Sequence, residues 1–407
     1  MLSTGPLHQG LVASIYEPPA WAAPALGGLP TSALDPAGAW GEKGPVSGPP
    51  RGPVYAQLRR ALFLLPPERA HGLSMVALRT FARTPGLRRA LKVDDPRLRV
   101  RAFGLGFPNP VGLAAGFDKG EGVAAGLFAL GFGFVEVGTV TPLPQPGNPA
   151  PRLFRLPAQK ALINRMGFNN AGAAEAARRL AAIRFRPGPL GVNLGKNKVT
   201  PAEQAPEDYR KAFEATASVG DYFVVNVSTP NTPGLRALQN PESLAAILRP
   251  LLAAAAARGG KPVLLKLAPD LADEDVDAAS DLALELGVAG LILANTTIAR
   301  PTAEHEPVAK ETGGMSGAPL FPRALALVAR TYRRHGERLP IVGVGGISGA
   351  EDAYRMIRAG ASLVQAYTGF IYGGPFFVRD LNRGLLALLA RDGFADVAAA
   401  RGVDAKV

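Results

Sequence analysis

The sequence lacks cysteine and contains four histidines, His8, His71, His305 and His335, among 407 residues. The absence of cysteine excludes a disulfide framework, thiolate catalysis and cysteine-ligated zinc or iron–sulfur centres. The histidines do not form the HExxH pattern of a zinc site, so we expect no metal. Hydride or proton chemistry would therefore rest on an organic cofactor, lysine, hydroxyls or carboxylates.

Long apolar runs are also missing. No stretch approaches the roughly 18 consecutive apolar residues of a membrane-spanning helix, and the N-terminus lacks the basic start and apolar run of a signal peptide. Hydrophobic residues make up 47% of the chain and charged residues 19%, a balance that is typical of a folded protein with a large core. We therefore expect an intracellular protein whose membrane contact is at most peripheral.

The formal net charge is +12, and most of the excess lies near the N-terminus. Residues 55–101 hold eleven basic side chains and three acidic ones. Such an excess favours nucleic acid, an anionic membrane surface or anionic small molecules as partners.

The N-terminal segment divides into two parts. Residues 1–53 contain ten prolines and nine glycines, a composition that predicts a disordered or extended segment, either a functional tail or an over-extended start of the reading frame. The next part predicts two amphipathic helices, Tyr55–Leu65 and Pro67–Phe81. The pattern alone favours a helical cap packed on the main domain, and the alternative is a basic pair of helices lying on an anionic bilayer.

Short apolar runs alternate with helical segments from residue 111 onward. Eight such runs predict strands: Val111–Gly116, Phe134–Val140, Leu190–Gly195, Tyr222–Ser228, Val263–Ala268, Leu291–Thr296, Ile341–Ile347 and Leu363–Thr368. Most are followed by a predicted helix, which matches an α/β fold of the (β/α)8 TIM barrel type, with a doubly wound open sheet as the alternative. The predicted domains are the extension 1–53, a helical subdomain 54–101, the barrel 102–395 and a C-terminal tail 396–407.

In such a barrel the active site lies at the carboxyl ends of the strands. The residues there are rich in amides, hydroxyls and lysines and poor in carboxylates, which predicts a pocket for a polar, anionic, planar ligand and argues against glycoside hydrolysis. Glycine motifs end the last two strands, at 343–347 and at 369–374. They predict a phosphate site, because glycine lets backbone amides close around an anion.

These segments resemble a known family. The sequence resembles the class 2, quinone-dependent dihydroorotate dehydrogenases in GLAAGFDK (112–119), GTVTPLPQPGNPAP (138–151), NRMGFNN (164–170), GKNK (195–198), NVSTPNTPGL (226–235), KLAPD (266–270) and TGGMSG (312–317). The resemblance implies an FMN enzyme that oxidises (S)-dihydroorotate to orotate in de novo pyrimidine (UMP) biosynthesis and passes electrons to a membrane quinone. It also implies a monomer without nucleic acid, bound peripherally at the cytoplasmic face of the cell membrane, which is the inner membrane in an organism with two.

The resemblance further implies the site residues. The expected FMN contacts are Ala115, Gly116, Lys119, Thr139, Asn193, Asn226, Lys266, Gly317, Gly346, Tyr367 and Thr368. The expected dihydroorotate contacts are Lys119, Asn164, Arg165, Met166, Gly167, Phe168, Asn226, Asn231, Asn295 and Thr296. Asparagine offers donor and acceptor edges that match a pyrimidine imide, while lysine and arginine attract a carboxylate.

One position departs from the family pattern, in which a serine after the fourth strand is the catalytic base. The aligned residue is Thr229, beside Ser228. Threonine keeps the hydroxyl, so we expect Thr229 to be the catalytic residue, with a side chain restricted by its extra methyl group.

The sequence leaves two alternative functions open. A dihydrouridine synthase acting on tRNA would use the basic charge, but that charge is concentrated in the N-terminal helices. A non-enzymatic quinone- or membrane-binding protein is the alternative outside catalysis.

Overall fold

The computed structural model describes residues 53–405, so the prediction of an extended segment at 1–53 falls almost wholly outside the described residues. The described chain forms thirteen strands: β1 Val100–Ala102, β2 Leu105–Phe107, β3 Val111–Leu113, β4 Phe134–Val140, β5 Leu153–Leu156, β6 Ala161–Asn164, β7 Leu190–Leu194, β8 Tyr222–Asn226, β9 Val263–Leu267, β10 Gly290–Leu293, β11 Gly314–Gly317, β12 Ile341–Val344 and β13 Leu363–Ala366.

The same residues form thirteen α-helices: α1 Pro53–Phe63, α2 Pro67–Phe81, α3 Pro85–Leu91, α4 Ala124–Ala129, α5 Ala173–Ala181, α6 Ala205–Thr216, α7 Pro241–Ala257, α8 Asp273–Glu285, α9 Phe321–His335, α10 Ala350–Arg358, α11 Thr368–Gly373, α12 Phe377–Asp392 and α13 Val397–Ala400. Capping hydrogen bonds and prolines determine where several of these helices begin. Helix α7, for example, begins where the Asn240 side chain accepts a hydrogen bond from the Ser243 N–H, with Pro241 in the first turn.

Eight parallel strands close into a barrel in the order β3, β4, β7, β8, β9, β10, β12 and β13. Every residue of these strands is buried, because one face points into the barrel and the other is covered by helices. The predicted (β/α)8 barrel is therefore confirmed, and each predicted strand overlaps one barrel strand. Several barrel strands end earlier than predicted, because the residues that follow them leave the hydrogen-bonded sheet and form the loops of the site.

A three-stranded antiparallel sheet, β5–β6–β11, lies over the carboxyl ends of the barrel strands; we call it the roof sheet. It has its own small core of Leu156, Ala161, Ile163, Ala303 and Met315. The sequence did not predict this sheet. It forms one wall of the cavity described below.

The predicted N-terminal helices are confirmed as α1 and α2, and a third helix, α3, follows them. The buried Met75 and Leu78 of α2 face the barrel. At Gly126 of α4 a Cβ atom would lie 2.1 Å from the Leu78 carbonyl oxygen, so this close approach requires glycine. Within residues 53–405 we find no helix both long and apolar enough to cross a bilayer.

The predicted domain boundaries after residues 101 and 395 stay predictions, and the structure describes the chain on both sides of each. Residues 100–107 form the hairpin β1–β2, whose Phe103 would contact a Cβ atom at Gly290, at the start of β10. This hairpin thus lies at the amino end of the barrel. The C-terminal segment is packed as well, because Arg358 forms an ion pair of 2.5 Å with Asp404.

Candidate active site

A cavity of about 1130 Å³, open mouth included, lies between the barrel and the roof sheet. All the predicted site residues except Asn193 and Arg165 line it: Ala115, Gly116, Lys119, Thr139, Asn164, Met166, Gly167, Phe168, Asn226, Thr229, Asn231, Lys266, Asn295, Thr296, Gly317, Gly346, Tyr367 and Thr368. The barrel therefore brings together residues that are up to 253 positions apart, from Ala115 to Thr368. Their contacts with cofactor and substrate stay predictions.

The floor of the cavity is a hydrogen-bonded cluster of Thr139, Asn193 and Asn226. The Thr139 hydroxyl donates to Asn193 Oδ1 at 2.6 Å, and Asn226 Nδ2 donates to the same oxygen at 3.0 Å. Asn193 lies beneath the cavity lining and fixes the two side chains that reach it. Fixed orientation matters here, because a planar ligand needs donors and acceptors in set directions.

A second cluster of amides stands beside the floor. Asn295 Nδ2 donates to Ser228 Oγ at 2.8 Å, and Asn231 Nδ2 donates to Asn164 Oδ1 at 3.1 Å. Asn231 Oδ1 is buried without a hydrogen-bond partner in the described part of the chain. A buried acceptor without a partner destabilises the protein unless a ligand donates to it. The ring N–H of a pyrimidine has that chemistry.

The two neighbouring hydroxyls after β8 differ in position. Thr229 lines the cavity, and its Oγ1 accepts the Asn231 N–H at 3.2 Å. Ser228 is fully buried, and its hydroxyl donates to Asn226 Oδ1 at 3.0 Å. Thr229 is therefore the hydroxyl that faces a ligand, whereas Ser228 belongs to the supporting network.

Two buried lysines give the cavity its charge. Lys119 follows β3 and Lys266 lies on β9, and both side chains line the cavity. Burial lowers the pKa of each lysine, and for Lys119 the nearby Glu121 opposes this effect. A buried ammonium group is stabilised by an anionic partner. The two lysines therefore fit a cavity that binds a negatively charged ligand.

The glycine-rich edge of the cavity lies at the ends of β12 and β13. Gly345 and Gly346 have φ angles of +136° and +74°, which glycine adopts readily. Helix α11 begins at Thr368, so the N–H groups of its first turn have no acceptor within the helix. Backbone of this kind binds phosphate, so the residues present fit the phosphate of a flavin mononucleotide.

Helices α1 and α2 contact residues that neighbour the cavity lining in the chain, and the sequence did not predict these contacts. Arg152 pairs with Glu68 of α2 at 3.0 Å, and the His71 ring packs edge-on against Phe117 with ring centres 5.0 Å apart. Burial, with a smaller contribution from Lys119, lowers the pKa of His71 to about 4. Tyr372 packs against Phe63 of α1 at 5.4 Å. The one sequence pattern near these contacts is the motif at 138–151, which ends immediately before Arg152.

Arg165 takes a different position from the other predicted substrate residues. Its guanidinium pairs with Glu311 at 2.6 Å and lies 4.7 Å from the centre of the Phe154 ring. With these partners, its side chain does not line the cavity.

Known proteins resemble this chain over most of its length. The family model for dihydroorotate dehydrogenase matches residues 97–389. A dihydroorotate dehydrogenase (quinone) of Anaeromyxobacter sp. (strain Fw109-5) is 54% identical over 355 residues, covering 86% of this chain and 97% of that protein. That of Myxococcus xanthus (strain DK1622) is 54% identical over 350 residues, covering 84% and 96%. A crystal structure of DHODH from Eimeria tenella in complex with ferulenol is 40% identical with a TM-score of 0.77, covering 84% of this chain and 96% of that one.

Proposed function

The chain belongs to the quinone-dependent dihydroorotate dehydrogenases, and on this basis we propose that it binds FMN, oxidises (S)-dihydroorotate to orotate and reduces a membrane quinone. This reaction serves de novo pyrimidine (UMP) biosynthesis. The observation that carries the proposal is the cavity itself. It combines two buried lysines, a glycine-rich phosphate edge and a ring of fixed amides.

The cofactor would be held at three places. The backbone at Gly345–Gly346 and the start of α11 would bind the phosphate. Thr139 and Asn226, which Asn193 holds from beneath, would bind the ring edge. Lys266 would supply positive charge beside the ring. When bound, FMN supplies the hydride acceptor and carries two electrons to the quinone.

The substrate would lie against the second amide cluster. Asn164, Asn231 and Asn295 present donors and acceptors to the pyrimidine ring, and the unpartnered Asn231 Oδ1 accepts from a ring N–H. The Lys119 ammonium attracts the carboxylate group of the substrate. Because these side chains bond to one another, they hold the ring in one orientation.

Oxidation removes a hydride from one ring carbon and a proton from its neighbour, leaving a carbon–carbon double bond. Thr229, which lines the cavity, would take that proton. An unassisted hydroxyl is a weak base. The proton taken from the substrate therefore leaves through water or in step with the departure of the hydride. The Asn231 N–H, which donates to Thr229 Oγ1 at 3.2 Å, orients the hydroxyl.

The quinone would reach the site between α1 and α2. Four large apolar side chains of this segment are exposed, Leu58, Leu64, Leu73 and Val76, although other faces of the helices pack on the protein. Exposed apolar groups beside many arginines suit the surface of an anionic bilayer. We propose that a monomer lies peripherally on the cytoplasmic face of the cell membrane, with Arg152, His71 and Tyr372 near the inner end of the passage.

The experiment starts from the purified full-length protein. Denaturation should release FMN in a one-to-one ratio, and dihydroorotate should bleach the flavin absorbance without oxygen. Adding a quinone should restore the colour. Release of FAD, or a flavin that dihydroorotate leaves oxidised, would contradict the proposal.

A further inference from the structure

A carboxylate lies in the interior of the barrel, beneath the cavity. Glu136 of β4 is fully buried. Its Oε1 accepts a hydrogen bond from Asn193 Nδ2 at 2.7 Å, and its Oε2 accepts one from Gln365 Nε2 at 2.6 Å. These neutral amides replace water around the carboxylate but do not balance its charge. A buried charge persists only where a partner compensates it.

The compensating partner is Lys266. Its Nζ lies 3.9 Å from Glu136 Oε1, and in the described residues no other carboxylate lies within 4.0 Å of that amino group. Both side chains are buried between the barrel strands. The ammonium is thus held from below by Glu136, while the cavity lies on its other side.

The other groups around this pair carry no charge. Asn193 of β7, Asn226 of β8 and Gln365 of β13 are amides. The Tyr222 phenol of β8 stays protonated, because burial raises its pKa and the Glu136 charge adds to the effect. The second charged group of the cavity is Lys119, which repels rather than stabilises another ammonium. Glu136 is therefore the group that determines whether Lys266 keeps its proton.

Building on the flavin function proposed above, we propose that Glu136 is a positioning residue that keeps the Lys266 ammonium protonated beside the flavin in both oxidation states. Reduction then adds two electrons and one proton to the flavin, and the lysine takes up none. Without the carboxylate, the buried lysine is neutral beside the oxidised ring. It binds a proton when negative charge develops on the reduced ring, so reduction takes up two protons.

Glu136→Gln removes the charge with little change of shape. The new amide keeps an oxygen for Asn193 Nδ2. Its nitrogen needs an acceptor, and Gln365 Oε1 is buried without a partner, so the Gln365 amide can turn to supply one. The matched control is Glu121→Gln, which removes the same charge near Lys119 from a side chain that is 36% exposed.

The readout is the reduction potential of the bound flavin, measured at pH values between about 6 and 9. For a two-electron couple, each proton taken up changes the potential by about 30 mV per pH unit. We expect about 30 mV per pH unit for the parent and Glu121→Gln, and about 60 mV for Glu136→Gln, with one and two protons taken up per flavin on photoreduction in weak buffer.

An unchanged slope in Glu136→Gln would overturn the inference. A parent slope of about 60 mV per pH unit would do so as well, and this measurement decides the matter if the variant does not fold. The proposed function fails separately, in a parent that binds no flavin or whose flavin dihydroorotate does not reduce.

Discussion

The Asn231 side-chain nitrogen donates a hydrogen bond of 3.1 Å to the side-chain oxygen of Asn164. This bond joins the loop after β8 to the end of β6, two segments 67 residues apart in the chain. It leaves Asn231 Oδ1 as the free acceptor, and the backbone N–H of the same residue donates to the Thr229 hydroxyl. One asparagine thus connects ligand recognition to the orientation of the proposed base.

Asn231→Ala should weaken dihydroorotate binding more than it lowers the rate of the bound complex. It removes an acceptor for the ring N–H and the bond that holds Asn164, a loss of about 1–3 kcal/mol, or roughly 5- to 150-fold in kcat/KM. Steady-state kinetics with a soluble acceptor would measure this. A variant with unchanged KM and lowered kcat would show that Asn231 acts only through Thr229.

Thr229→Ala should slow flavin reduction by about 10²- to 10⁴-fold, because the proton of the substrate loses its acceptor. Orotate binding should be largely retained, and Thr229→Ser should stay active. Rapid mixing with dihydroorotate in the absence of oxygen measures the reduction step directly.

Ser228→Ala provides the comparison for that experiment. Ser228 Oγ bonds to Asn226 and Asn295 and does not line the cavity, so its loss should have a smaller effect. If Ser228→Ala reduced the rate more than Thr229→Ala in a folded protein, the base assignment would be wrong.

The barrel was predictable because its strands are buried on both faces and therefore appear as continuous apolar runs. The roof sheet was not, since its strands have four residues each and β6 pairs with β11 across about 150 positions. The placement of Lys119, Asn226 and Lys266 followed from the rule that strand ends form the site.

Other parts of the site depend on contacts that sequence spacing does not encode. Arg165 carries the charge expected of a substrate residue, yet Glu311, 146 positions away, draws its guanidinium away from the cavity. Arg152 pairs with Glu68 of α2, a residue 84 positions away in the chain. Both outcomes depend on how loops and helices lie across the barrel.

Gly126→Ala should destabilise the contact between α2 and α4. The new methyl group would lie 2.1 Å from the Leu78 carbonyl oxygen, so one helix must move, at a cost of about 1–3 kcal/mol in the free energy of unfolding. Gly72→Ala is the matched control, because Gly72 lies in α2 and nothing lies within 4 Å of the added Cβ. It should stabilise the helix by about 0.5–1 kcal/mol. Denaturant unfolding followed by circular dichroism measures both changes, and equal stabilities would contradict the packing argument.

Leu73→Glu should weaken the binding of the full-length protein to anionic vesicles. The Leu73 side chain is 54% exposed in water. Burying a leucine in the bilayer interface contributes up to about 1.5–3 kcal/mol, and the added carboxylate is repelled by about 1 kcal/mol, so the affinity should fall by at least about tenfold. Oxidation of dihydroorotate with a long-chain quinone in vesicles should fall in parallel, whereas the rate with a short-chain, water-soluble quinone should be unchanged.

Ala77→Glu is the matched control for that experiment, because it adds the same charge to an exposed position of α2 without removing a large apolar side chain. It should lower vesicle binding only by the electrostatic part, and added salt should reduce that effect. The difference between the two variants isolates the apolar contribution of Leu73. Equal losses in both would mean that charge alone holds the helices at the membrane. If Leu73→Glu left vesicle binding and the long-chain quinone rate at the parent values, α2 would be a structural cap and the proposed quinone route would have to lie elsewhere.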